Sequence, residues 1–339
     1  MNDRKIVTAL QTAVGRPFET DFRNDTCIHL DLTSQDYRYA GLIRHHSASE
    51  KSSILALISE LEGLESLNLR WNQLRHLPES MKNLSQLRHL DLGSNYLGKV
   101  PPWMEALTEL RYLNLGVNEL ESVPDYFASF RNLQTLCLHK NDIRGLPDEY
   151  AVLSNLEVLN LYFNRIRQIP AYVFDFTHLK TLSWGISGLT IMPPDIGKLK
   201  NLEYLTFVAN KIRYLPDEFC ELENLKATRL HKNQLECLPR DIGRLRNLEQ
   251  ITLYQNRLTE LPESFSELAR LQRLNLSWNQ FRSFPAQVSR LPRLDWFAYF
   301  YNEDCERPAL DTVQTCLWER PFTSEDHLQT DEFQFEPAS

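Results

Sequence analysis

Leucine recurs every 23 residues from Leu64 to Leu294 with no insertion or deletion, and each recurrence restarts one pattern, LxxLxLxxNxLxxLPxxhxxLxx. The copies begin at Leu64, Leu87, Leu110, Leu133, Leu156, Leu179, Leu202, Leu225, Leu248 and Leu271, ten in full, and an incomplete eleventh begins at Leu294. In the copy at 64–86, Leu67 and Leu69 alternate inward on a short strand, Leu74 and Leu77 line the next bend, and Met81 and Leu84 cover the back. A single copy has no partner surface for these side chains, so the copies must stack into a solenoid.

Two further columns demand particular chemistry. Asn72, Asn95, Asn118, Asn141, Asn164, Asn210, Asn233, Asn256 and Asn279 recur where the strand must turn. An amide there both donates to and accepts from buried backbone of a neighbouring coil. Pro78, Pro101, Pro124, Pro147, Pro170, Pro193, Pro216, Pro239, Pro262 and Pro285 recur six positions later. A residue without an N–H suits an extended back face and excludes ten leucine-rich helices.

The motif LPxxIGxLxxL, seen at Asp195 to Leu202 and Asp241 to Leu248, resembles the consensus of intracellular leucine-rich-repeat proteins, and the match covers about two thirds of the chain. Similar repeats occur in plant intracellular Ras-group-related proteins, in animal Ras-binding scaffolds and in bacterial proteins. The resemblance implies a leucine-rich-repeat solenoid, or horseshoe. Its concave face carries a parallel β-sheet, its convex face is irregular, 3-10 or short helical, and partners bind on the concave side.

The ends of an open stack need covers. Residues 1–63 are expected to form an N-terminal cap. Ile6, Val7, Leu10 and Val14 lie at helical spacing before Gly15 and Pro17. Cys27, Leu30 and Leu32 then imitate the LxxLxL strand with Gln35 at the asparagine site, and an insertion around Tyr37 to Ser53 lengthens that copy. Ile54, Leu55, Leu57, Ile58 and Leu61 suggest a convex-side helix. Residues 64–293 hold the ten repeats, and 294–322 form a C-terminal cap. There Trp296, Phe297, Tyr299, Phe300 and Tyr301 make an aromatic strand, and Leu310, Val313, Leu317 and Trp318 suggest a short covering helix. The stretch 323–339 has five acidic residues and no lysine or arginine, as in a mobile tail.

The formal charge of −8 argues against bulk affinity for nucleic acid or an anionic membrane. The first residues carry charges at positions 3 to 5 and lack a long apolar core, so the chain is expected to be cytoplasmic. Six cysteines, at 27, 137, 220, 237, 305 and 316, form no CxxC pair, as expected of reduced thiols. Cys305 and Cys316 are the one nearby pair, which leaves a disulfide there as an alternative.

Residues between the inward leucines face the concave groove, because neighbours along a strand alternate faces. In those columns the basic residues are Arg70, Lys140, Arg229, Lys232 and Arg273, with His89, His139 and His231, and Asp91 is the only acid of the ten copies. Trp71, Tyr112, Tyr162, Phe163, Tyr204, Tyr254 and Trp278 stand among them. Aromatic and arginine side chains are enriched at protein interaction hot spots. Basic residues beside rings also suit single-stranded nucleic acid, but the overall acidity opposes that.

Other constellations are weaker. LHKN occurs at 138–141 and again at 230–233, with Tyr162 and Tyr254 one copy beyond each, and a block duplication of four copies explains it. His139 and His231 therefore lie roughly 19 Å apart, too far to share a metal. His45 and His46 have no third ligand at metal spacing, so neither metal nor cofactor is expected. Cys137 and His139, flanked by Asn114 and Asn160, share the elements of a cysteine hydrolase, but residues two apart on a strand stand about 6–7 Å apart. Cys305, in EDCERP, has no catalytic domain around it, and no P-loop, GxGxxG or GxSxG occurs. The sixth copy departs from the pattern, with Trp184 for an inward leucine, Ser187 for the asparagine, and Gly185 and Gly188 around the turn. Either a flexible joint or a neutral variation fits.

The sequence reading is a non-enzymatic scaffold, monomeric, binding another protein with an acidic contact surface along a groove about 50 Å long. An exported effector that binds a host protein by the same face is the alternative, and a hydrolase at Cys137 and His139 is the third reading.

Overall fold

The computed structural model describes residues 2–33, 41–302 and 315–317. Among them fourteen strands form one sheet in strict chain order. β3 (Ser66–Asn68) to β13 (Trp296–Ala298) supply one three-residue strand per copy, and the register advances by 23 residues at each step, as in Leu67↔Leu90 and Leu90↔Leu113. The inward leucines are the core: Leu64, Leu67, Leu69, Leu84 and their equivalents are fully buried in one continuous apolar cluster.

The asparagine column works as the spacing predicts. The Asn164 amide nitrogen donates to Leu138 O (3.0 Å) and Leu161 O (3.0 Å), and its oxygen accepts from Ile143 N (3.1 Å). Each amide thereby ties its own bend to the preceding coil. On the convex side the prolines are extended, with Pro78 at φ −70 and ψ 149, and each leads into a 3-10 turn such as Glu79–Asn83 or Asp125–Ser129. Tyr126, Tyr150 and Tyr172 donate their hydroxyls to the carbonyls of Pro101, Pro124 and Pro147, lacing the convex coils together.

The sixth copy is no irregular joint. Its strand, Thr181–Ser183, pairs in register on both sides. The Trp184 indole N–H donates to Ile166 O at 3.1 Å, a bond that an inward leucine cannot make. The Ser187 hydroxyl donates to Gly185 O at 3.3 Å, within its own bend, and among the described residues makes no bond to the preceding coil as the asparagines do.

The N-terminal segment contains α1 (Asp3–Val14), which buries Ile6, Val7, Leu10 and Val14, and α2 (Ala48–Ile58), which opens on a Ser47–Glu50 capping box and buries Ile54, Leu55 and Ile58. Between them β1 (Glu19–Arg23) pairs antiparallel with β2 (Thr26–Asp31), and β2 pairs parallel with β3, placing Leu30 beside Leu67. Asn24 (φ 49) and Asp25 (φ 63) make the two-residue turn, both left-handed, which asparagine and aspartate tolerate. The hairpin was not anticipated, because ETDFR carries a single large apolar residue.

At the other end Thr315–Leu317 forms β14, parallel to β13. The expected helix is thus corrected at Leu317: the open edge of β13 offers hydrogen-bonding groups that an extended segment satisfies and a helix cannot. Leu310, Val313, Trp318, Cys305, Gln35 and the tail at 323–339 lie outside the described residues. No helix among the described residues is long and apolar enough to cross a membrane.

Candidate functional site

Each copy offers four columns on the concave side. Two belong to the strand, at the positions of Ser66 and Asn68, and two follow it, at Arg70 and Trp71. The last column is left-handed throughout: Trp71 (φ 65), Lys140 (φ 53), Phe163 (φ 59), Lys232 (φ 57), Trp278 (φ 57) and their equivalents. Simple alternation does not bring two consecutive residues to one face, and the left-handed turn is what lets the third and fourth columns both border the groove. The second column often caps the third, since Asn68, Asn114 and Asn160 accept from the N–H of Arg70, Gly116 and Tyr162.

The side chains expected to form an exposed binding face divide by depth. Lys140, Phe163, Lys232, Arg273 and Trp278 are exposed, while Arg70, Trp71, Tyr112, His139, Tyr162 and Tyr204 are half-buried. Arg229 (6% exposed), His231 (0%) and Tyr254 (2%) are buried, which corrects the expectation that they stand free for a partner. The cause is crowding, because strands about 4.8 Å apart force large neighbours to cover one another. His231 stacks on Tyr254 at 4.2 Å and donates to or accepts from Thr252 Oγ1 at 2.9 Å, while His89 stacks on Tyr112 at 4.0 Å. Two third-column glycines are overlain by a ring from a neighbouring copy, Gly116 by His139 and Gly185 by Tyr162, while Gly93 lies under the Asn114 amide.

Charge is distributed unevenly. Along the lateral edges acids and bases pair from copy to copy, as in Lys180–Glu157 (2.7 Å), Lys226–Glu203 (2.6 Å), Arg213–Glu236 (2.7 Å) and Arg165–Asp142 (2.7 Å). Arg70, Lys140, Lys232 and Arg273 enter no ion pair among the described residues. Lys232 instead lies over the Tyr254 ring at 5.9 Å, and Arg70 over Trp71 at 5.5 Å. Asp91 is buried, accepting from Gly93 N (2.8 Å) and Asn114 Nδ2 (3.0 Å), and burial raises its pKa against the lowering influence of Arg70.

The Cys137 and His139 pair is set against catalysis. Burial, then Asp91, pushes the Cys137 thiol up to about 12, whereas a nucleophile needs a lowered value. Burial, then Arg70 and Lys140, lowers His139 to about 4. Asn114 and Asn160 are committed to Gly116 N and Tyr162 N.

The zeroth copy read at Cys27, Leu30 and Leu32 stands beside the first full copy, with Leu30 paired to Leu67, but the cluster that its hairpin gathers was not read from the sequence. The hairpin brings Glu19, His29 and Asp31 together, with candidate donor atoms all within 4.8 Å of one another. The Asn24–Asp25 turn signals the hairpin, but the turn alone would set Glu19 opposite Leu30, and it is the one-residue register shift between Asp21 and Phe22 that sets it opposite Asp31.

Family models described as leucine rich repeat match residues 229–281, 131–174, 63–84 and 86–107. A leucine-rich-repeat protein of Leptospira interrogans is 31% identical over 74% of this chain and 69% of that one, with a TM-score of 0.65. The chain belongs to the leucine-rich-repeat family. A TDR receptor is 30% identical over 78% of this chain and 49% of its own length, with a TM-score of 0.72. An internalin from Listeria monocytogenes shares the fold at 16% identity, covering 94% of this chain and 96% of that one, with a TM-score of 0.72. No curated protein matches the chain.

Proposed function

We propose that the chain is a non-enzymatic scaffold that binds another protein, through an acidic surface of that partner, along its concave face. The observation that carries this is the contrast in pairing. Lateral pairs such as Lys180–Glu157, Arg213–Glu236 and Lys226–Glu203 hold their charges within the solenoid, while exposed Lys140, Lys232 and Arg273 in the groove enter no ion pair among the described residues and stand in columns that also expose Phe163 and Trp278. Exposed rings supply rigid contact area, and unpaired cations supply steering and register. The likeness to a protein named as a receptor supports a ligand-binding role for the same fold. The opposed pKa directions of Cys137 and His139 support the non-enzymatic reading. Among the described residues Cys27, Cys137, Cys220 and Cys237 are free and the first three are buried, which supports a reducing, cytoplasmic setting. The chain is proposed to act as a monomer.

The test is affinity capture with the whole chain, followed by Lys140→Glu, Phe163→Ala, Lys232→Glu and Trp278→Ala together. The described fold needs none of these exposed side chains, so circular dichroism should be unchanged while capture of the partner is lost. Capture undiminished in the folded variant would refute the concave-face reading.

A further inference from the structure

The first concave-face residues among the described ones belong to the β1–β2 hairpin, whose second strand is the degenerate zeroth repeat and sets His29 and Asp31 beside Ser66 and Asn68. Antiparallel register sets Glu19 directly opposite Asp31 and Asp21 opposite His29, so one imidazole and three carboxylates share a face. Glu19, His29 and Asp31 each offer a ligand atom within 4.8 Å of the others. We propose that these three residues form a zinc-type divalent metal site that pins β1 against β2, the strand that adjoins the first full repeat.

Three features carry the assignment. First, the ligands are already oriented by groups outside the set. His29 Nδ1 is bonded to Ser66 Oγ at 2.9 Å, on the adjoining parallel strand, which leaves Nε2 as the ligating nitrogen. Partners of this kind on the second ring nitrogen fix the tautomer and ring plane of metal-binding histidines. Asp31 Oδ1 accepts both the N–H and the hydroxyl of Thr33 (2.6 Å each), and Oδ2 accepts from Asn68 Nδ2 at 3.0 Å. Carboxylate oxygens have about two acceptor sites each, so Oδ1 is filled and Oδ2 keeps one for a cation.

Second, the distances suit closure. Zinc–ligand bonds of about 2.0–2.1 Å in a tetrahedral shell put neighbouring ligand atoms roughly 3.4 Å apart. The widest separation of 4.8 Å therefore has to close by about 1.4 Å. Closure of that size is within the range of side-chain torsions, and none of the three side chains is fully buried.

Third, the donor set selects the metal. One imidazole nitrogen and two carboxylates are too few oxygens for calcium, which takes six to eight, and suit zinc with a fourth position left to solvent. The hairpin's single arginine, Arg23, is engaged by Glu65 at 2.8 Å, well down the strand from the cluster.

The experiment uses the full chain, stripped with a chelator and titrated with zinc chloride by calorimetry, with calcium chloride in parallel and thermal melts at each end point. The expected result is one saturable zinc site that raises the melting temperature, with affinity reduced at least tenfold in both His29→Asn and Glu19→Gln. Cys237→Ser, which removes the exposed thiol, should bind as the parent does. Glu19→Gln carries the test where His29→Asn melts lower than the parent without metal, since Glu19 is exposed. Absence of saturable zinc binding, equal affinity in Glu19→Gln, or binding lost only in Cys237→Ser would overturn the proposal. Calcium binding at the same affinity would overturn the assignment of metal class.

Discussion

Asn164→Ala is the sharpest test of what holds the coils together. The side chain is buried and makes three hydrogen bonds, but their loss is not equivalent. Leu138 O keeps a second donor, Asn141 Nδ2 at 2.8 Å, whereas Ile143 N and Leu161 O lose the amide that serves them. Two buried backbone groups left unsatisfied cost about 1–3 kcal/mol each before relaxation, so a net loss of about 2–4 kcal/mol is expected. Ser187→Ala at the equivalent site removes one bond of 3.3 Å and should cost less than about 1 kcal/mol. Chemical denaturation followed by circular dichroism, compared at equal slope, gives both values. Equal losses at the two sites, or a loss below about 1 kcal/mol at Asn164, would refute the ladder as the source of coil-to-coil cohesion.

Ile186 is β-branched and left-handed at φ 54, so Ile186→Asn should stabilise by about 1 kcal/mol, measured by the same melts; destabilisation would contradict that reading. Gly243→Ala should destabilise by about 1–3 kcal/mol, because an added Cβ meets the backbone carbonyl of Ser264, which cannot swing aside. His139 titrates near 4 when folded, below the usual 6.5, so the folded state binds its proton late. Its share of stability is intact above about 6.5 and is lost as pH falls toward 4, up to about 3 kcal/mol, and His139→Gln should flatten that part of the pH–stability curve. Buried Asp91, with its raised pKa, acts in the opposite sense, so the parent-minus-variant difference is the quantity to measure. Deleting residues 1–62 strips α1, β1, β2 and α2 from the first repeat and should cause aggregation by light scattering; a soluble monomer with unchanged melting would deny these elements a capping role.

The repeat was legible because each core column is compulsory: a leucine missing from a stacked coil leaves a void in both neighbours, so the period is written in the residues themselves. The asparagine and proline columns were legible for the same reason, each tied to one backbone requirement. Depth in the groove was not. Tyr254 occupies the same column as half-buried Tyr162 and differs by the side chains around it, while Arg229 stands in the second column, buried also at Asp91, Asn160 and Asn275, and exposed Arg273 stands in the first. The β1–β2 hairpin escaped for another reason. Its burial alternates between exposed and half-buried along β1, so it has no apolar face to announce it, and the turn at Asn24 and Asp25 was its only strong sign. With the hairpin unseen, Glu19 and Asp31 remained twelve residues apart instead of paired.

The most direct test of the central claim is the affinity of the captured partner for two charge-reversal variants of equal charge change. One carries Lys140→Glu and Lys232→Glu in the groove, and the other carries Lys82→Glu and Lys198→Glu, two exposed lysines of the convex 3-10 turns. Concave binding to an acidic surface predicts a loss of at least tenfold in the groove variant, diminishing as salt is added, and little change in the convex one. A convex variant that loses the partner while the groove variant keeps it would contradict the account.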